Sequence, residues 1–132
     1  RMSLNVVHFK NGTATMANAA MPPIYHYSAK NKKLNEIEIV NLPLGGLSNE
    51  EYELVQIEFD KEDLLIQLSD GLPEAPNPTG DLIDYDRLFE CIEQNAMKSP
   101  KDVVESLVEL AENWLDGNIN PDDITIVATK KV

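Results

Sequence analysis

The sequence predicts an α+β fold: antiparallel strands fill the first half of the chain, and two helices precede a closing strand. Three observations predict it. Short runs rich in β-branched and aromatic residues recur between residues 4 and 68, separated by turn signals. The connections between them are too short for helical crossovers, which makes neighbouring strands antiparallel. Apolar residues then recur at helical spacing from Tyr85 to Leu115, ahead of a β-branched run at 124–127. At 132 residues and 42% hydrophobic the chain can bury one ordinary core, so residues 1–132 are expected to lie within a single domain.

The elements follow in order. Residues 4–9 and 13–19 read as strands, and Asn11-Gly12 between them predicts a tight β-hairpin, because both residues tolerate positive φ. Pro22-Pro23 then excludes a central strand or a helix interior. Strands are predicted at 24–28, at 36–40 and, beyond the Leu42-Pro-Leu-Gly-Gly46 breaker, at 52–59, where apolar and polar residues alternate. Leu64, Leu65, Ile66 and Leu68 form a nearly continuous apolar run, which suits a strand buried on both faces. The segment Pro73-Glu-Ala-Pro-Asn-Pro-Thr-Gly80 reads as a loop that is either disordered or flanks a site. Tyr85, Leu88, Phe89 and Ile92 mark the first helix, and Val103, Leu107, Ala111, Trp114 and Leu115 belong to the second. Ser99 caps that second helix, Pro100 and Asp102 suit its first turn, and Gly117 ends it. There is no internal repeat, low-complexity tract or coiled-coil seam.

Charge and composition exclude several functions. The net charge is −12, yet Arg1, Lys10, Lys30, Lys32 and Lys33 all precede the first acid, Glu36, so the remainder carries −17. That distribution disfavours a nucleic-acid partner and permits a cation site wherever carboxylates converge. No apolar run is long enough for a membrane span, which makes membrane insertion unexpected, and the start lacks the pattern of a signal peptide. The single cysteine, Cys91, reads as a small core residue and agrees with a reducing, cytoplasmic setting.

The residues that carry chemistry stand at strand borders. Asp70 follows the buried run on an Asp-Gly turn, and Asp122-Asp123 lies beside the β-branched run of Ile124, Thr125, Ile126 and Val127. Carboxylates at the mouths of buried strands are placed to meet a hard divalent cation, which prefers oxygen ligands and can activate a water toward phosphorus. Asp-Gly is also a common turn, and Asp122-Asp123 after Pro121 fits a turn before a strand. His8 and His26 read as exposed or hydrogen-bonded strand residues. Ser69 lacks a nucleophile elbow, Cys91 lacks an activating neighbour, and there is no P-loop.

Four motifs in one order resemble a known family. Ser69-Asp-Gly-Leu-Pro-Glu-Ala75 is similar to the Thr/Ser-Asp-Gly-hydrophobic-x-Glu-Ala signature of the bacterial metal-dependent protein phosphatases, the SpoIIE/RsbU-type branch of the protein phosphatase 2C-like family. Asn18-Ala-Ala-Met-Pro-Pro23 resembles its Asn-Ala-Gly-His/Met-Pro-Pro segment, and Leu42-Pro-Leu-Gly45 its Pro-Leu-Gly turn. Asp122-Asp-Ile-Thr125 resembles its closing Asp-Asp-hydrophobic-Thr motif. The resemblance implies an antiparallel β-sandwich with flanking α-helices and a site for two Mn²⁺ or Mg²⁺ ions in the complete domain. There, metal-activated water hydrolyses phosphoserine or phosphothreonine on a protein substrate without a phosphoenzyme.

Carried over position by position, the resemblance makes Asp70 and Asp122 metal ligands, with Asp123 second to them. Gly71 would allow a tight backbone, while Glu74 matches the motif without a role that chemistry assigns. Ala20 replaces the family's usual glycine, and Lys61-Glu-Asp63 a more usual Gly-Asp turn. The family's N-terminal Asp-x-x-Gly region has no counterpart, and Arg1-Met2-Ser3 leads straight into a strand. The chain therefore reads as the C-terminal two thirds of such a domain, incomplete at the N-terminus, inactive alone and prone to self-association. The family further implies bacterial signalling on a substrate like an anti-sigma-factor antagonist. The alternative is a phosphatase-like binding or regulatory module without catalysis.

Overall fold

A computed structural model describes residues 1–132. Its elements are β1 (Leu4–Lys10), β2 (Thr13–Ala19), β3 (Ile24–Ser28), β4 (Lys33–Ile37), β5 (Val55–Glu58), β6 (Leu64–Leu68), α1 (Asp84–Asn95), α2 (Pro100–Leu115) and β7 (Ile126–Lys130). Strands in the order β1-β2-β5 form one antiparallel sheet, and β4-β3-β6-β7 form the other. The expected α+β fold of two antiparallel sheets and two helices is what the chain adopts.

Two cores hold three layers together. Between the sheets lie Ala14, Met16, Ile24, Ile39, Phe59 and Leu65. The opposite face of the second sheet presents Tyr25, Tyr27, Leu64, Ile66 and Leu68 to Leu88 and Ile92 of α1 and to Val103, Leu107 and Ala111 of α2. Alternate residues of β6 thus enter different cores, which explains why its sequence reads as a continuous apolar run. No helix is long and apolar enough to cross a membrane.

Local chemistry sets the element boundaries. Asn11 (φ 50°) and Gly12 (φ 74°) make the predicted hairpin turn with both residues left-handed. Ser99 Oγ accepts from Asp102 N at 3.1 Å with Pro100 in the first turn, while Asp116 takes the left-handed position that closes α2, one residue before Gly117.

Three strands differ in extent from the sequence reading, each because its partner ends. β4 occupies Lys33–Ile37 rather than 36–40, since its ladder with β3 stops at Ile24↔Ile37, next to two prolines that have no N–H to offer. β5 is shorter than 52–59 because its ladder with β2 ends at Met16↔Val55. β7 runs on past 127 to Lys130, paired with β6 as far as Leu64.

The proline-rich loop is ordered. Asn77 Oδ1 accepts from Thr79 N and Asp81 N, and Pro76 bridges to Leu82. Trp114 Nε1 donates to the Asp81 carbonyl at 2.9 Å, under the Arg87 guanidinium 4.2 Å from its ring centroid. Asn118 of the α2–β7 connection donates to the Pro76 carbonyl, so loop and helix end hold each other.

Candidate metal centre

Antiparallel pairing of β6 with β7 ends at Leu68↔Ile126, and the two chains leave the sheet side by side. Just beyond, Ser69 N donates to the Thr125 carbonyl at 3.0 Å. The Ser69 hydroxyl then works in both directions, accepting from Thr125 N at 2.8 Å and donating to the Asp123 carbonyl at 3.3 Å. One residue further, the Gly71 backbone meets the Asp122–Asp123 segment so closely that an added Cβ would lie 2.1 Å from the Asp123 carbonyl oxygen. Asn120 Nδ2 crosses the same gap to the Gly71 carbonyl at 3.0 Å. Four hydrogen bonds and one close backbone approach therefore tie the segment bearing Asp70 to the segment bearing Asp122 and Asp123.

Gly71 meets its requirement differently from the sequence reading. It was expected for backbone freedom, yet it is absent from the residues with positive φ. What the position requires is space, because any side chain there would enter the facing peptide.

The three predicted acids are all exposed at this strand mouth. The Asp70 carbonyl accepts from Glu74 N at 3.0 Å, which starts the turn into the Pro73–Ala75 segment. Asp122 Oδ1 accepts from Asp123 N at 2.8 Å and so lies along its own backbone. Asn120 Oδ1 is a buried acceptor with no partner, beside these acids. In kind these donors, all oxygen, fit a hard divalent cation. In number they fall short of a cage, since no three His, Cys, Asp or Glu side chains converge closely enough to hold an ion. Asp70 and Asp122 are the two acids that the sequence motifs single out for one.

A cleft of about 310 Å³ opens directly beside Asp70. Met21, Pro22, Pro23, Ile39 and Val40 supply its apolar walls, and Glu38, Glu74 and Tyr85 stand with Asp70 around it. The Asn18 side chain holds one wall, donating to the Met21 and Pro22 carbonyls and accepting from Met21 N. Asn41 Nδ2 secures the same wall through the Asn18 carbonyl at 3.0 Å. Burial, reinforced by Glu74, Asp84, Asp70 and Glu36, pushes the Tyr85 phenol up.

The hydrogen bonds that fasten the two acidic segments together are not readable from the motifs. The sequence offers Ser69 only as a hydroxyl without a nucleophile elbow, and no motif includes Asn120. The one signal for either was position, a hydroxyl and an amide within two or three residues of a candidate acid. The histidines behave as expected, with His8 exposed and His26 buried and donating from Nε2 to Asp63 Oδ2 at 2.9 Å.

Two sheets face to face, helices on one of them and carboxylates at the mouths of adjacent strands make up the protein phosphatase 2C-like class of fold. The phosphatase domain of the cell fate determinant SpoIIE from Bacillus subtilis, solved after Mn presoaking, superposes with a TM-score of 0.74 at 19% identity, over 98% of this chain and 56% of that one. The family model described as Stage II sporulation protein E (SpoIIE) matches residues 1–131, and the chain belongs to that family. It is 27% identical over 118 residues to "Phosphoserine phosphatase RsbU" of Bacillus subtilis, covering 89% of this chain and 35% of that protein. It is also 24% identical over 123 residues to "Protein IcfG" of Synechocystis sp., covering 93% of this chain and 19% of that protein. The chain thus spans about a third or less of the curated relatives it matches. The family is one of metal-dependent serine/threonine phosphatases, which act on phosphoproteins.

Proposed function

We propose that residues 1–132 form the C-terminal part of a metal-dependent protein phosphoserine/phosphothreonine phosphatase domain, with Asp70 and Asp122 as ligands of Mn²⁺ or Mg²⁺ and Asp123 beside them. The observation that carries this reading is the contact of Gly71 with the Asp123 carbonyl, which brings two acids distant in sequence to one strand mouth. A divalent cation bound there would stabilise charge on the phosphoryl oxygens and lower the pKa of a water.

The chain's own residues supply placement. Asp70 and Asp122 provide negative charge just beyond the paired ends of β6, which is buried, and β7. Ser69 and Asn120 hold the distance between the two segments, as outer hydrogen bonds do around metal ligands. Two carboxylates bind an ion with less charge and poorer geometry than a full ligand set, so the chain alone hydrolyses a phosphopeptide slowly or not at all. The reading places the protein in bacterial cytoplasmic signalling, on a substrate like an anti-sigma-factor antagonist. The name of RsbU supports phosphoserine as the group removed.

Calorimetric titration of Mn²⁺ into the 132-residue chain tests this, with Asp70→Asn and Asp122→Asn alongside. Binding that weakens about tenfold or more in each variant is the expected result. No binding by any of the three chains, or binding that ignores both substitutions, would overturn the ligand assignment and favour a binding module.

A further inference from the structure

The cleft beside Asp70 combines two features that the metal site does not need. Part of its wall is apolar and preformed, with Met21, Pro22 and Pro23 on the Asn18-braced segment and Ile39 and Val40 beside them. Its rim is acidic: Glu38, Glu74 and Asp70 line it, no Lys or Arg does, and the close His26–Asp63 and Lys101–Glu105 pairs lie elsewhere. Burial, with repulsion from Glu38 and Asp86, lifts the nearby Glu36 carboxyl as well. Glu38 and Glu74, neither of them a candidate metal ligand, give the cleft a sign that favours a positively charged side chain on the substrate.

We propose that this cleft is a recognition subsite for an arginine or lysine side chain lying close to the phosphorylated residue of the protein substrate. The inference rests on the phosphatase reading for its location, since Asp70 is shared between the cleft and the candidate metal centre. The aliphatic stem of such a side chain lies along Pro22, Pro23 and Met21 while its charged head meets Glu38 and Glu74. At about 310 Å³ the cleft is near the lower end of the roughly 300–1,000 Å³ usual for ligand pockets, a size for one side chain. The hydrogen-bonded wall is already in place, which reduces the ordering cost of binding. Glu38 becomes the specificity-determining residue, standing outside every metal motif.

Short alanine peptides with one unphosphorylated serine, carrying Arg, Ala or Glu beside it, test the subsite on the 132-residue chain. Fluorescence anisotropy gives affinity, and amide NMR shifts locate the contact. The arginine peptide is expected to bind about tenfold more tightly than the alanine one, with shifts at Met21, Val40 and Tyr85. Glu38→Lys should reverse the order of the arginine and glutamate peptides. Val40→Lys, at a position 82% exposed, should abolish arginine binding without unfolding the chain. Equal affinities, no binding by any peptide, or shifts away from the cleft would overturn the proposal. Because the peptides carry no phosphate, the result is independent of catalysis: arginine preference without metal binding would keep the subsite and overturn the assignment of Asp70 and Asp122 as ligands, and the reverse would do the opposite.

Discussion

A Cβ atom built on Gly71 would lie 2.1 Å from the carbonyl oxygen of Asp123, and that oxygen belongs to backbone with no flexible end to swing aside. The Asp-Gly pairing is therefore a steric device, in which the acid is carried on a segment that must touch the peptide bearing the other acids.

Gly71→Ala is expected to force the two segments apart. The relaxation should cost about 1–3 kcal/mol of stability, as for an overpacked interior site. If Asp70 and Asp122 act together on an ion, the same substitution should also lower Mn²⁺ affinity, although it removes no carboxylate. Urea denaturation gives the first quantity and calorimetry the second. Unchanged values in both would show that the contact is slack.

Ala20 makes the opposite case. It sits exposed at φ 55°, in the left-handed region, at a position where the resemblance sets glycine. A left-handed conformation costs an L-residue roughly 1–2 kcal/mol, part of which glycine returns through a more flexible unfolded chain. Ala20→Gly should therefore raise stability by about 0.5–1 kcal/mol, read as a higher urea midpoint at unchanged slope.

Much of this was legible in the sequence, and the parts that were not share a cause. Periodicity located β1, β2, β3 and β6, both helices and the α2 cap because each signal lies within the element itself. The ends of β4, β5 and β7 were misplaced because a strand stops where its partner stops, and Ile24↔Ile37 or Met16↔Val55 is a fact about two segments. The same holds at the site. The motifs around Asp70 and Asp122 can be read one at a time, whereas the Ser69 and Asn120 hydrogen bonds and the cleft at Glu38 exist only once distant segments meet.

The buried Asp63 carboxylate should be the most sensitive polar group of the chain. It accepts from His26 Nε2 at 2.9 Å, Ala29 N at 2.9 Å and Asp60 N at 3.0 Å, joining β3 to the turn before β6. Asp63→Ala removes the acceptor from three donors in one step, and breaking a buried pair of this kind costs about 3–5 kcal/mol. His8, exposed on β1, provides the control: His8→Ala should change stability by no more than about 0.5 kcal/mol. Comparable losses in the two variants would mean that the Asp63 network contributes nothing special.

Tyr25 carries the last prediction. Its side chain is fully buried in the core beneath the helices, and its hydroxyl has no hydrogen-bond partner. Burial first, and then Glu36, Tyr85, Asp84 and Asp86, push the phenol well above its ordinary value of 10.0. The unfolded chain would release this proton near that ordinary value while the folded chain keeps it. Stability is therefore unaffected by Tyr25 at lower pH and falls as pH rises above about 10, by up to about 1.4 kcal/mol per pH unit. Tyr25→Phe removes both the unpaired hydroxyl and the titration, so it should be neutral or slightly stabilising at pH 7 and should flatten the alkaline limb of the stability profile. Urea midpoints across pH 7–11 compare the two proteins directly. Curves that stay parallel throughout, or a variant markedly weaker at pH 7, would show that the hydroxyl has a partner in solution, and the core around Tyr25 would then be wetter than its packing indicates.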